Sequence, residues 1–120
     1  MHEISVAQNI LNIVQQHLPE RLMHQASGIR LRIGDAAGIV VESLEFCFKA
    51  ITSDSPLRST SLIIERVPLQ LHCNLCKTNS TPDTGYFFCQ TCGTSDVNIL
   101  SGTELQVVEI EMNDSAEVSS

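Results

Sequence analysis

Two cysteine pairs of identical spacing constrain the fold of this chain more than any other feature of its sequence. Cys73 and Cys76 form one C-x2-C pair, and Cys89 and Cys92 form a second pair after 12 intervening residues. Two such pairs at this separation are the usual ligand pattern of a tetrahedral four-thiolate site. The sequence therefore predicts a closed structural zinc site. A rubredoxin-like iron centre stays open, because iron accepts the same four sulfur ligands.

The segment that carries these cysteines is too poor in apolar residues to fold without a metal. Between Cys73 and about Asn98 the apolar periodicity gives way to Cys, Asn, Thr, Ser and Gly. The energy of metal binding would then fold this module. His72, beside the first pair, is either a competing ligand or a surface bystander. Cys47 stands apart on an apolar helix face and is interpreted as a packing residue.

The rest of the chain shows helix and strand periodicities that together predict an α+β fold. Apolar residues recur at helical spacing over residues 4–18 and again over residues 40–52. Alternation over residues 28–34, and β-branched residues over 60–67 and 104–112, predict strands. The expected architecture is two helices packed on a small mixed β-sheet, with an inserted four-cysteine zinc module.

Charge and hydropathy argue against two classes of partner. The chain has 14 acidic and 7 basic residues and a formal charge of −7. Nucleic acids and anionic membrane surfaces are bound mainly through lysine and arginine, so neither is expected as a partner.

No stretch approaches the roughly 20 apolar residues of a spanning helix, and no signal peptide is apparent. A cytoplasmic location is expected, where thiols stay reduced and five cysteines indicate metal binding.

The N-terminal sequence Met-His-Glu offers a second group of metal donors. Met1 is expected to stay in the mature chain because the large residue His2 follows it. The α-amine of Met1 and the backbone nitrogen and imidazole of His2 can close two chelate rings on one ion. Such nitrogen-rich ligation favours the square-planar geometry of Ni(II) or Cu(II). The alternative is a merely solvated His2 and a Glu3 that complements the dipole of the following helix.

The order of these segments resembles that of the HypA/HybF family, whose members deliver nickel during [NiFe]-hydrogenase maturation. The likeness covers residues 1 to about 112 and rests on the MHE start, ISVAQNILNIV, IRLRIGDAAGIVVESLEFCFKAITSDSPL, the paired cysteines and the acidic final strand. It implies that nickel is bound by the Met1 α-amine, His2 and Glu3, with His2 essential. It also implies that structural zinc is held by Cys73, Cys76, Cys89 and Cys92.

A strand on each side of the cysteine-rich segment indicates that the zinc module is an insertion. The predicted organisation is an α/β nickel-binding domain over residues 1–71 plus 99–112, a zinc-binding module over 72–98, and a disordered tail over 113–120. The tail is predicted from its lack of any apolar pattern.

The resemblance also implies partners, and it makes a nickel metallochaperone the leading hypothesis. The expected partners are the nickel-loading GTPase HypB and the [NiFe]-hydrogenase large subunit, with urease accessory proteins as a further class. Ni(II) would be transient cargo and Zn(II) a structural ion. No enzyme activity and no catalytic residue are expected, because a closed four-sulfur site has no position for substrate. The alternative is a zinc-ribbon module for protein–protein or nucleic-acid interaction, with no nickel role.

Overall fold

The computed structural model of the chain describes residues 2–83 and 86–113. Three helices and six strands are present in this part. In chain order they are α1 (Glu3–His17), α2 (Glu20–Met23), β1 (Ala26–Gly34), α3 (Val41–Thr52), β2 (Ser61–Val67), β3 (Gln70–Cys73), β4 (Asn79–Ser80), β5 (Val97–Ser101) and β6 (Leu105–Met112). The strands form two three-stranded sheets, ordered β2-β1-β6 and β4-β3-β5. The predicted α+β class is confirmed. Within the described part, every helix is too short or too polar to span a bilayer.

The chain divides into two compact units. The first comprises Met1–Leu31, Ile39–Ile64 and Val107–Ser120, and the second comprises Arg32–Gly38 and Glu65–Gln106. The zinc module predicted over residues 72–98 falls within the second unit, and the predicted domain boundaries stay a prediction. Of the predicted tail, only Asn113 is described, and its N–H donates to the Gln25 carbonyl. Residues 114–120 lie outside the described part.

The core of the first unit lies between the apolar faces of its helices. Helices α1 and α3 pack against each other, as their helical periodicity predicts. Ile4, which begins the apolar stripe in the sequence, is nevertheless 47% exposed, so the buried face of α1 starts at Val6. The buried apolar residues of these helices and of β1 in this unit are Val6, Ala7, Ile10, Val14, Ala26, Ile29, Leu31, Leu44 and Phe48.

In the second unit, β3 is the central strand of its sheet and leads directly into the cysteines. It pairs in antiparallel fashion with β4, where His72 lies opposite Asn79. It pairs in the same way with β5, where Cys73 lies opposite Val97. Leu71 and Cys73 are buried. The sheet therefore fixes the backbone at the first cysteine, since Cys73 is the last residue of its central strand.

A close approach of two backbone segments shapes the turn that follows β1 in the second unit. The Gly34 N–H donates to the Glu104 carbonyl (2.8 Å), and the Ala36 N–H donates to the Gly102 carbonyl (2.7 Å). A Cβ atom on Gly34 would overlap the Gly102 carbonyl group, and one on Gly102 would lie 2.5 Å from Leu69 Cα. Only glycine allows the two segments to come this close.

Gly34→Ala is expected to destabilise the second unit by about 3 kcal/mol or more. The added methyl group would overlap the backbone of Gly102, which cannot move aside as the end of a flexible side chain can. Gly38→Ala is the matched control. Gly38 has a φ of +77° and open space around the added Cβ, so only about 1–2 kcal/mol of backbone strain is expected. Denaturant unfolding of the metal-loaded variants measures both changes. Equal unfolding midpoints for the two variants would contradict the close approach.

Candidate metal centres

The four paired cysteines lie together in the second unit. Their Sγ atoms all lie within 4.8 Å of one another. Cys73 Sγ lies 3.6 Å from Cys92 Sγ, and Cys76 Sγ lies 3.6 Å from Cys89 Sγ. Four sulfurs held tetrahedrally at a Zn–S distance of about 2.3 Å would be about 3.8 Å apart, whereas a disulfide needs about 2.05 Å. The cluster therefore has the dimensions of a four-thiolate metal site.

The two cysteine pairs fold into the same tight loop, which two backbone hydrogen bonds close. The residue after the second cysteine donates its N–H to the carbonyl of the first cysteine. The first cysteine donates its own N–H to a threonine carbonyl. These bonds are Lys77 to Cys73 (3.0 Å) and Cys73 to Thr78 (2.9 Å) in one loop, and Gly93 to Cys89 (2.9 Å) and Cys89 to Thr94 (2.8 Å) in the other. The full repeat is thus C-x2-C-x-T, longer than the cysteine pairs alone indicate.

One position in each loop adopts a left-handed backbone conformation. Gly93 has a φ of +77° and Lys77, at the equivalent position, has a φ of +62°. Glycine takes this conformation without cost, whereas lysine is strained there by about 1–2 kcal/mol. The first loop therefore stores backbone strain that metal binding and the closing hydrogen bonds must offset.

Backbone N–H groups favour the thiolate form of the first cysteine in each pair. The Cys76 N–H lies 3.3 Å from Cys73 Sγ and lowers the pKa of Cys73. The Cys92 N–H lies 3.4 Å from Cys89 Sγ and is the main reason that the pKa of Cys89 is lowered to about 6. Both sulfurs are thus prepared to bind a cation, because a metal binds the thiolate and not the thiol.

The outer cysteine of the second pair behaves differently. The Thr94 N–H lowers the pKa of Cys92, but the hydrogen bond with the Cys73 thiol, burial, and the Cys89 and Cys76 thiols together raise it to about 11. Four thiols this close cannot all lose their protons unless a cation compensates the charge. Metal binding is therefore expected to release protons and to weaken in acid.

His72 lies outside the sulfur cluster, although it precedes Cys73 in the chain. Its Nδ1 lies 2.6 Å from Asn79 Oδ1, across the β3–β4 pair. Among the described residues, the four cysteines are the only group of three or more His, Cys, Asp or Glu side chains close enough to share an ion.

Two of the predicted nickel ligands, His2 and Glu3, lie in the first unit at the start of α1. Met1, whose α-amine is one of the predicted nickel ligands, lies outside the described residues. His2 is the N-cap residue of α1, and its side chain is exposed. Its carbonyl accepts the N–H groups of Ser5 (3.1 Å) and Val6 (3.2 Å). These bonds explain why the helix can begin as early as Glu3.

Glu3 connects the beginnings of the two long helices. Its Oε2 accepts the Val40 N–H at 3.1 Å, and this bond is the main reason that the pKa of Glu3 is lowered. Val40 is the N-cap residue of α3 and forms no side-chain cap of its own. Glu3 therefore supplies, from α1, the negative charge that favours a helix N-terminus.

An open cavity of about 430 Å³ lies beside these residues in the first unit. Its lining residues are His2, Glu3, Ile4, Glu42, Ser43, Phe46 and Cys47. The sequence pattern indicates no site role for Glu42 and predicts that Cys47 is a packing residue. Cys47 is half-buried and lines the cavity. The helical register of α3 was the available signal, since it places residues 42, 43, 46 and 47 on adjoining turns.

Fold and site together define a small metal-binding protein of the α+β class. A family model described as hydrogenase/urease nickel incorporation metallochaperone HypA matches residues 1–112. The chain therefore belongs to the HypA family of nickel metallochaperones, which act in hydrogenase maturation. This agrees with the resemblance identified from the sequence.

Individual relatives match over nearly the whole chain. The hydrogenase maturation factor HypA of Chloroflexus aggregans is 39% identical over 112 residues, which are 92% of this chain and 98% of the relative. The HypA of Geotalea uraniireducens is 38% identical over 112 residues, 93% of this chain and 99% of the relative. The solution structure of the Ni metallochaperone HypA from Helicobacter pylori covers 94% of this chain and 98% of its own, with a TM-score of 0.64. At 23% identity, it supports the fold alone.

Proposed function

We propose that this chain binds Ni(II) at its N-terminus and delivers it for the maturation of [NiFe] hydrogenase. The nickel ligands in this proposal are the Met1 α-amine, His2 and Glu3. The observation that carries it is the family match, which begins at residue 1. The matched region includes His2, which is exposed at the N-cap of the first helix. An exposed site suits a carrier, because incoming ligands of a recipient can reach the ion.

The start of α1 supplies the nitrogen donors that the proposal needs. The first N–H groups of a helix have no partner within the helix, so the backbone nitrogens of His2 and Glu3 can ligate without breaking the helical hydrogen bonds. The Glu3 carboxylate is held by Val40 through Oε2. An ionised carboxylate still has lone pairs on both oxygens, and the fourth nickel ligand is therefore either this carboxylate or the Glu3 backbone nitrogen.

The four cysteines are proposed to hold structural Zn(II). Their donor set and their sulfur separations fit a tetrahedral four-thiolate site. Zinc there would join the two cysteine loops and fix β3 relative to residues 89–94. With four sulfurs around the ion, no position is left for substrate or water. We therefore propose a carrier and not an enzyme.

The proposed recipient is the hydrogenase large subunit, and the proposed loading partner is the GTPase HypB. The family description includes both hydrogenase and urease, whereas the similar relatives are described as hydrogenase maturation factors. This favours hydrogenase as the first recipient, with urease accessory proteins as a second. Because a four-thiolate site needs reduced cysteines, the proposed location is the cytoplasm, where thiols stay reduced.

His2→Ala is expected to remove nickel and to leave zinc, because His2 supplies the imidazole and no part of the sulfur cluster. Protein loaded with both metals and then desalted should contain about one nickel and one zinc per chain. The variant should contain zinc alone. Elemental analysis of the desalted samples measures both metals.

His17→Ala is the matched control, because His17 is also exposed and lies at the other end of α1. It should keep both metals. Retention of nickel by His2→Ala would contradict the N-terminal site, whereas a wild-type protein that retains zinc but no nickel would favour the alternative of a zinc-ribbon interaction module.

A further inference from the structure

The two cysteine loops have the same backbone hydrogen bonds, but the hydroxyls of their threonines have different partners. Thr78 Oγ1 lies 3.0 Å from Cys76 Sγ and 3.9 Å from Cys89 Sγ. Thr94 occupies the equivalent position of the second loop, and its Oγ1 accepts the Asp96 N–H at 3.1 Å. One threonine hydroxyl therefore lies against the sulfur cluster, while the other caps a backbone turn.

The hydroxyl of Thr78 contacts the sulfur of Cys76, which is more exposed than the sulfurs of the two buried cysteines, Cys73 and Cys89. Cys73 Sγ and Cys89 Sγ each lie within 3.4 Å of a backbone N–H of their own loop. Cys76 is less buried than either of them. Water or a competing chelator therefore reaches Cys76 more easily than Cys73 or Cys89. Cys92 is also exposed, but its sulfur has the backbone N–H of Thr94 as a donor.

We propose that the Thr78 hydroxyl donates a hydrogen bond to the Cys76 thiolate and thereby slows the loss of zinc. The proposal rests on the assignment of the four cysteines to zinc. Once zinc has displaced the thiol proton, the hydroxyl is the one proton donor of this pair. Four thiolates outnumber the two positive charges of Zn²⁺, so a donor on one sulfur offsets part of the excess negative charge. Thr78 is a positioning residue, since it acts on the metal through Cys76.

Three variants separate this role from a general effect on the loop. Thr78→Val removes the hydroxyl and keeps the branched shape and both backbone hydrogen-bonding groups. Thr94→Val makes the same change at the equivalent position, away from sulfur. Thr78→Ser restores the hydroxyl. All three retain the C-x2-C ligands.

The measurement is the rate at which the zinc-loaded full-length protein gives up its metal to excess chelator. Loss of a hydrogen bond to a metal ligand typically weakens binding 10–100-fold. We expect Thr78→Val to release zinc about 10–100-fold faster, and Thr94→Val and Thr78→Ser to release it at close to the wild-type rate. The sulfur-to-cobalt charge-transfer bands of the Co(II)-substituted protein should shift in Thr78→Val alone.

Three results would overturn the proposal. Equal release rates for Thr78→Val and the wild type, or equal acceleration by Thr94→Val, would remove the specific role of Thr78 and leave the zinc site intact. A wild-type protein whose Co(II) form lacks the spectrum of a tetrahedral four-thiolate site would overturn the zinc assignment and, with it, the role of Thr78.

Discussion

Cys89→Ser is expected to release the zinc ion and to unfold residues 73–98. Cys89 is buried, its sulfur accepts the N–H groups of Thr91 (3.3 Å) and Cys92 (3.4 Å), and it lies 3.6 Å from Cys76 Sγ. Structural zinc contributes about 10–16 kcal/mol to the folding of small modules. Few apolar side chains are present in this segment to replace that contribution.

Elemental analysis and the amide resonances of residues 73–98 would measure this effect. The zinc content should fall to near zero, and the amide resonances of the segment should lose their dispersion. Cys47→Ser is the control, because Cys47 is a free cysteine of α3 outside the cluster, and it should keep its zinc. Unchanged zinc content in Cys89→Ser would contradict the four-thiolate site.

The first unit should survive the loss of zinc. Its buried residues Val6, Val14, Leu44 and Phe48 come from α1 and α3, and neither helix contains a cysteine of the cluster. The helical signal in circular dichroism should therefore remain in Cys89→Ser, although residues 73–98 unfold.

The long helices could be predicted from the sequence because their burial follows a period that the residues repeat. The apolar stripes place α1 and α3 within one residue of their observed bounds. The short elements could not be predicted in this way. Helix α2 has 4 residues and β4 has 2, which is too few to establish a period. The residues of β5 are mostly exposed, so no alternation between apolar and polar residues marks it.

The candidate sites, too, could be predicted from the sequence only where local spacing determines their geometry and not where a tertiary contact does. The cysteine cluster could be predicted because C-x2-C spacing is itself a local geometry. The bond from Val40 to Glu3 could not, because it joins residues 37 positions apart through the packing of two helices. The threonine repeat is visible in the sequence, but only the distances distinguish the hydroxyl of Thr78 from that of Thr94.

Four glycine residues added ahead of Met1 are expected to abolish specific nickel binding. The extension changes no side chain, but it converts the α-amine into an amide and moves the free amine away from His2. The chelate ring that this amine closes with the His2 backbone nitrogen is then lost. We expect the apparent nickel affinity to fall by about a hundredfold or more, which corresponds to about 2.8 kcal/mol.

A calorimetric Ni(II) titration of protein with its native N-terminus, beside the extended form, tests this most directly. Zinc content measured in the same samples is the control and should be equal in both. We expect about one tightly bound nickel per chain in the native form and none in the extended form. Equal nickel binding by both forms would contradict a site built on the Met1 amine and His2.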